Sequence, residues 1–175
     1  MAASERLRWA ARVLQIQPGE QLLEIGSGNG AAALQVAPLL GNGRLLGIDA
    51  SPRQVDLARR QWAAAGSPPQ VEFMELNLRD IDREARGPFD KIFAFNVPCF
   101  QKEPGDELGI IRRLLKPAGR LYIFHQPPAE TTRAVAERQA GYLRRHFYEV
   151  LQILYLELKR GSASCVICRP SAPTA

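Results

Sequence analysis

Apolar and polar positions along this chain switch between two periods. Leu7, Ala10, Ala11 and Leu14 recur at i, i+3, i+4 and i+7, the spacing of an amphipathic helix. Ser4 stands where an N-cap belongs, and Pro18-Gly19 ends the element in a turn. Short apolar runs follow at Gln21–Ile25, Arg44–Ile48, Val71–Met74, Lys91–Phe95 and Arg120–Phe124, and each reads as a strand. Helical patterns lie between them. One follows the glycines after Ile25 and ends near Pro38, because proline disrupts a helix interior. Another opens at Ser51-Pro52-Arg53-Gln54, with Ser51 as cap, Pro52 in the first turn and Gln54 completing a capping box. Leu78–Ala85 is expected to be a short helix, Asp106–Leu115 and Thr131–Arg145 longer ones. Val97–Gly105 reads as loop and Pro117-Ala118-Gly119 as a turn. Two last strands, Tyr148–Leu158 and Ser164–Cys168, flank a hairpin-like Lys159-Arg160-Gly161-Ser162.

Strand–helix alternation implies a parallel sheet with helices on both faces. The terminal hairpin is too short for a parallel return, so one antiparallel strand is expected at the sheet edge. The expectation is thus an α/β fold: a Rossmann-like doubly wound sheet, mostly parallel, with one antiparallel strand near the C-terminal edge. Residues 1–175 read as a single domain, with an N-terminal helix in 1–17 and a tail at 170–175.

The stretch from Leu22 to Gly30, LLEIGSGNG, carries the chemistry. A strand that turns on glycine into a helix brings bare backbone close to a ligand at a helix N-terminus. The spacing alone is ambiguous, since Gly26, Gly28 and Ala31 also fit a dinucleotide fingerprint. Glu24 weighs against that reading. A carboxylate two residues before the glycines would repel a diphosphate, whereas it suits a cationic cofactor without phosphate. S-adenosylmethionine is such a molecule, with a sulfonium and an ammonium.

The run E-I-G-S-G-N-G resembles the first motif of class I S-adenosylmethionine-dependent methyltransferases. The resemblance extends from residue 16 to about 168 and includes L-K-P-A-G at 115–119. It implies that Glu24, Gly26, Ser27, Gly28 and Gly30 cradle the cofactor. Asp49, with Ala50 beside it, would accept the ribose hydroxyls. Asn77 would take the place of the family's usual acid at the adenine amino group, with the Leu78 N–H serving a ring nitrogen. Phe89-Asp90-Lys91-Ile92-Phe93-Ala94-Phe95 resembles the fourth family strand, so carbonyls near Ala94 and Phe95 would face the cofactor ammonium and Asn96 would border the site of transfer. The residues at 77 depart from the family's Gly-Asp-Ala pattern. A turn asparagine is the competing reading there.

His125, just after the fifth strand, is the candidate base if the acceptor starts protonated. Phe95, Cys99 and Phe100 suggest a partly apolar acceptor pocket. The segment Asn96-Val97-Pro98 lacks the Asn-Pro-Pro-aromatic run of nucleic-acid amino methyltransferases, which favours a small-molecule acceptor. The net charge of +5 permits nucleic-acid binding, but the arginines are scattered over several helices and no nucleic-acid module is appended. An RNA methyltransferase, a nicotinamide-dependent reductase and a non-catalytic cofactor-binding module remain the alternatives. Of the tyrosines, only Tyr155 has a lysine four residues on, Lys159, and it lies in the late hairpin.

Cys99, Cys165 and Cys168 are an odd count without a disulfide framework, and CVIC places its two cysteines on opposite faces of a strand. With two histidines in the chain, no metal site is expected. No apolar run is long enough to span a membrane, and Arg6, Arg8 and Arg12 interrupt any signal-peptide core, so a cytoplasmic protein is expected. A homo-oligomer is possible in principle, since a partner subunit could close an otherwise open acceptor pocket.

Overall fold

Leu22, Leu23 and Ile25 set the frame of the fold. In the computed structural model, which describes residues 5–66, 70–81, 87–126, 131–159 and 161–171, they lie on the central strand β1 (Gln21–Ile25) and are buried. Alternate residues of a strand point to opposite faces. Leu23 and Ile25 therefore join one hydrophobic cluster and Leu22 the other. A strand covered on both faces should be apolar throughout, which makes the buried Glu24 the exception in β1.

The remaining strands are β2 (Arg44–Asp49), β3 (Val71–Glu75), β4 (Phe89–Phe95), β5 (Leu115–His125), β6 (Tyr148–Glu157) and β7 (Ser162–Pro170). They form one sheet in the order β3-β2-β1-β4-β5-β7-β6. The first five are parallel, and β7 runs antiparallel to both β5 and β6. The reversed strand is therefore not the edge. It inserts between β5 and β6, and β6 takes the outside. A tight hairpin only requires that β6 and β7 be neighbours; which of them docks on β5 is decided by burial. Ala163 to Cys168 form an unbroken buried run, while β6 is only half-covered.

Helices α1 (Glu5–Leu14), α2 (Ala33–Val36) and α3 (Pro52–Ala64) cover one face through Ala10, Leu14, Ala33, Val36, Val55, Ala58 and Trp62. Helices α4 (Glu107–Leu114) and α5 (Thr132–Arg145) cover the other through Leu108, Ile111, Leu114, Ala136 and Leu143. Truncating any of the fully buried leucines to alanine costs about 2–5 kcal/mol. Cys165 and Cys168 fall in opposite clusters, as their spacing requires, and burial pushes both thiols up.

Several local expectations need correction. The helix after the glycines is short, and a 3-10 turn at Ala37–Leu39 carries Pro38 in its first turn. Ser51 caps α3, its Oγ accepting from Gln54 N at 3.4 Å, but the return half of the capping box comes from elsewhere: Ser51 N donates to Asp49 Oδ1 at 2.9 Å. A carboxylate two residues upstream outcompetes the Gln54 amide for that donor. Pro117-Ala118-Gly119 is a bulge within β5, which pairs with β4 at Leu115 and resumes at Arg120. Val97–Gly105 contains a 3-10 turn at Pro98–Phe100. Ser4 lies outside the described residues, as do 82–86, so of the helix expected over Leu78–Ala85 the turn at 78–80 and the helical Ile81 are seen.

Candidate cofactor cleft and active site

The parallel strands β1 to β4 release their chains at one sheet edge, where open α/β sheets bind ligands. A cleft of about 340 Å³ lies there. Ile25, Gly26, Ile48, Asp49 and Ala50 form one wall; Leu76, Asn77, Leu78, Arg79, Val97, Cys99 and Glu107 form the other.

The glycine turn is built by its own backbone and by Asp49. Gly26, Gly28 and Gly30 all hold positive φ, at 68°, 52° and 78°. Only glycine adopts this region without strain. Two of the three also permit close approach. A Cβ on Gly26 would stand 2.7 Å from Val97 Cγ2, and one on Gly30 would stand 2.9 Å from Phe73 Cζ. Ser27 N donates to Ile48 O at 2.9 Å, tying the turn to β2, and Gly28 N donates to Asp49 Oδ2 at 2.9 Å. Asp49 thus receives one backbone N–H on each oxygen, from Gly28 and from Ser51. Each oxygen keeps acceptor capacity beyond that bond, and Asp49 lines the cleft.

Glu24 lies beneath this turn, between Gly47 of β2 and Phe93 of β4 in register. It is buried, and its Oε2 has no hydrogen-bond partner. Ser27 Oγ is also buried and unpartnered, and Ser27 borders the same Gly47. Desolvation foremost, and then the Asp49 carboxylate, pushes the Glu24 carboxyl well above its usual range. A buried carboxyl with an orphaned oxygen beside an anion is costly unless a cation arrives.

The opposite wall is held by side chains. Arg79 donates to Glu107 Oε1 through Nε at 3.3 Å and Nη2 at 3.0 Å, joining the chain after β3 to the start of α4. Partial desolvation raises the Glu107 carboxyl, but the N–H groups of Glu107 and Gly105 and the Arg79 guanidinium outweigh it and hold it below the usual range. Burial, helped by Glu107, pushes the Cys99 thiol up to about 11, so it is not a poised nucleophile.

The candidate residues separate into groups. Gly26, Asp49, Ala50, Asn77 and Leu78 line the cleft, while Ser27, Gly28 and Gly30 shape the turn behind it. Asn77 is exposed, and its Oδ1 already accepts from Arg79 N at 3.1 Å, the asparagine turn that sequence allowed. Ala94 is buried between β1 and β5, and Phe95 stacks on Phe124 at 4.5 Å with Trp9 edge-on to Phe124. Asn96, at φ 51°, accepts from Gln126 N at 2.8 Å and donates its own N–H to Phe124 O, locking the ends of β4 and β5 together. His125 closes β5 and is buried. Phe100 is not a pocket residue. It is fully buried in the core, and its carbonyl accepts from Gln139 Nε2 and Tyr142 OH, both at 3.0 Å. Leu76, Arg79, Val97 and Glu107 also line the cleft: Leu76 and Val97 follow β3 and β4 closely as apolar neighbours of the polar candidates, whereas Glu107 is delivered by α4, which strand-end reasoning does not reach.

A larger hollow of about 810 Å³ shares no residue with the cleft. It lies between α4 and the turn after α5, where Arg112 donates to the carbonyls of His146, Phe147 and Ser171. Its guanidinium is spent on the fold rather than held toward a ligand.

The model of the methyltransferase domain family matches residues 22–119, and the chain belongs to that family. Among its relatives, methyltransferase phqN of Penicillium fellutanum is 26% identical over 148 residues, covering 79% of this chain and 45% of that protein. O-methyltransferase rstn1 of Aspergillus nomiae is 31% identical over 122 residues, covering 69% of this chain and 53% of that protein. The chain spans about half the length of these curated relatives. A SAM-dependent methyltransferase from Aquifex aeolicus superposes with a TM-score of 0.75 at 19% identity, over 95% of this chain and 93% of that one. One from Thiobacillus denitrificans, solved with S-adenosyl-L-homocysteine, gives 0.66 at 19% identity, over 86% and 66%. Among the described residues no helix is long and apolar enough to cross a membrane.

Proposed function

We infer that this protein binds S-adenosylmethionine and transfers its methyl group to a small-molecule acceptor. The observation that carries the reading is Glu24: a buried carboxyl with an orphaned oxygen, two residues before the glycine turn that borders the cleft, where the one cation among the described lining residues, Arg79, is paired with Glu107. A cationic, phosphate-free cofactor compensates that carboxyl; a dinucleotide would aggravate it. Family membership and the O-methyltransferase relatives support the same class of reaction.

When bound, the cofactor supplies an electrophilic methyl group whose displacement leaves a neutral thioether, so no general acid is required. What the protein contributes is position, which can supply a large share of the rate. Asp49, which accepts one N–H on each oxygen from Gly28 and Ser51, would hold the ribose hydroxyls with its remaining lone pairs. Leu78, which lines the cleft, would offer its N–H to a ring nitrogen of the base. Asn96 fixes the end of β4 against β5, and His125 at that edge takes the proton of an acceptor that enters protonated. The aromatic group of Trp9, Phe95 and Phe124 offers an apolar wall to a small acceptor. We place the site in one domain comprising residues 1–175.

Isothermal titration calorimetry tests the reading. S-adenosylmethionine and S-adenosylhomocysteine are expected to bind, NAD and NADP not. Nicotinamide binding without S-adenosylmethionine binding overturns it. Tight RNA binding with a steep salt dependence overturns the small-molecule acceptor.

A further inference from the structure

The two edges of the sheet are guarded unequally. A free edge offers a row of backbone N–H and C=O groups to any extended chain, and short strands, charges and prolines blunt it. At one edge β3 has five residues, and two of them, Glu72 and Glu75, are exposed charges. At the other edge β6 has ten residues and pairs only with β7 among the described residues. Its middle, Leu151-Gln152-Ile153-Leu154-Tyr155-Leu156, contains no charge, no proline and no glycine. None of these six residues is buried, and Leu151 is 37% exposed. The register against β7 slips at Leu151, between Val150 and Gln152, so Gln152–Glu157 pair without a break. Ile153 and Tyr155 rest on one core cluster and Leu154 on the other, which holds the strand in place and presents its outer edge in a fixed form.

We propose that β6 seats a second copy of this chain, joined edge to edge by an antiparallel β6–β6 pair about a two-fold axis. The pair continues one sheet through both subunits and satisfies the outward backbone groups of both strands. An axis normal to the sheet sets one residue opposite itself, and the remaining pairs follow from that choice. Centred on Ile153, the pair would set Glu149 against Glu157 of the copy at both ends, which like charges oppose. Centred on Gln152, it would place the irregular Leu151 of each copy inside the pair, and centred on Tyr155 it would lay Glu157 on Ile153. Centred on Leu154, it sets Leu154 on Leu154, Ile153 on Tyr155 and Gln152 on Leu156, and it carries Glu149 toward Lys159 of the copy. In this register the centre is apolar and the ends bring opposite charges together. That self-complementarity is what selects a second copy over a foreign strand. Because β6 runs in the same direction as β5, the axis turns the carboxyl edges of the two subunits opposite ways and keeps both cofactor clefts away from the interface. The assignment does not depend on the methyl-transfer reading.

Sedimentation velocity of the full chain over a range of concentrations tests the proposal. A dimer is expected at micromolar concentration, with hydrogen exchange slowing at the outward amides of Gln152–Leu156 as it forms. L154K sets two ammonium groups at the axis and should raise the dimer dissociation constant by about tenfold or more, since like charges brought together across an interface repel. Q152K, at an exposed position, covers the case in which L154K does not fold, and should weaken the dimer several-fold by laying a charge on Leu156 of the copy. L57K, at an exposed leucine on α3, which packs beside β2 and β3, should leave association unchanged. A monomer at every concentration overturns the proposal and leaves the edge to a strand of another protein. A dimer that L154K and Q152K leave intact, or that L57K weakens equally, overturns it as well.

Discussion

The two walls of the cleft are held in place by different physics. On the β1–β2 side the main chain does most of the holding: Gly26, Gly28 and Gly30 turn at positive φ, and Asp49 collects the N–H groups of Gly28 and Ser51. On the β3–β4–α4 side the wall is made of side chains from three separate segments, joined by the Arg79–Glu107 pair. The first wall admits few substitutions, because all three glycines hold a positive φ that a Cβ strains, and a Cβ at Gly26 or Gly30 would also run into Val97 or Phe73. The second depends on side-chain contacts, which substitutions can rebuild more readily than a backbone turn.

The strongest way to break this contrast is Asp49→Ala. It removes the ribose acceptors and also the tie that holds the glycine turn. Each charge-assisted hydrogen bond lost is worth about 1.5–3 kcal/mol, so cofactor affinity should fall by about 2–3 kcal/mol and stability should fall as well. Calorimetry and thermal unfolding read the two effects separately. Unchanged affinity in a folded variant would remove Asp49 from the site.

Glu24→Gln sharpens the same wall with effects of opposite sign. Burial raises the Glu24 carboxyl above its ordinary value of 4.5, so between that value and its folded pKa the folded state holds a proton that the unfolded state has released. Stability therefore falls as pH rises through this window. The glutamine variant should lack that decline and be more stable at neutral pH, by about 1.4 kcal/mol for each pH unit of that window, the cost of ionising a buried carboxyl. It should also bind S-adenosylmethionine several-fold more weakly. Urea denaturation at several pH values, paired with calorimetry, checks both halves. A variant less stable at neutral pH would contradict the burial argument.

Within the glycine turn, Gly26→Ala should cost more than Gly28→Ala. Both force a left-handed conformation on a Cβ, at about 1–2 kcal/mol. Only the Gly26 variant also drives a methyl into Val97, at 2.7 Å, whereas the Gly28 Cβ meets nothing within 4 Å. Equal unfolding temperatures for the two variants would show that Val97 yields freely. The smallest effect belongs to the adjustable wall: Asn77→Asp should change cofactor affinity by less than about threefold, since a turn aspartate accepts from Arg79 N as asparagine does.

The amino-acid sequence by itself determined the strands of β1 to β5, the glycine turn and Asp49. Each depends on a local rule: buried parallel strands must be apolar, positive φ requires glycine, and a strand must end where its turn residues begin. The anomaly of Glu24 was legible for the same reason, as a charge inside a buried run. Only the tertiary structure decided that β7 lies inside β6, since a hairpin fixes which strands are neighbours but not which one docks on β5. Only the structure showed that Phe100 is core and that Asp49, not Gln54, serves Ser51 N. Glu107 was out of reach of any local pattern. It lies 28 residues from Arg79 along the chain, and the two meet because packing of α4 against the sheet brings its first turn to the carboxyl ends of the strands. Short-range chemistry is written in neighbouring residues. Convergence of distant side chains on one ligand is a product of packing, and it becomes visible only in three dimensions.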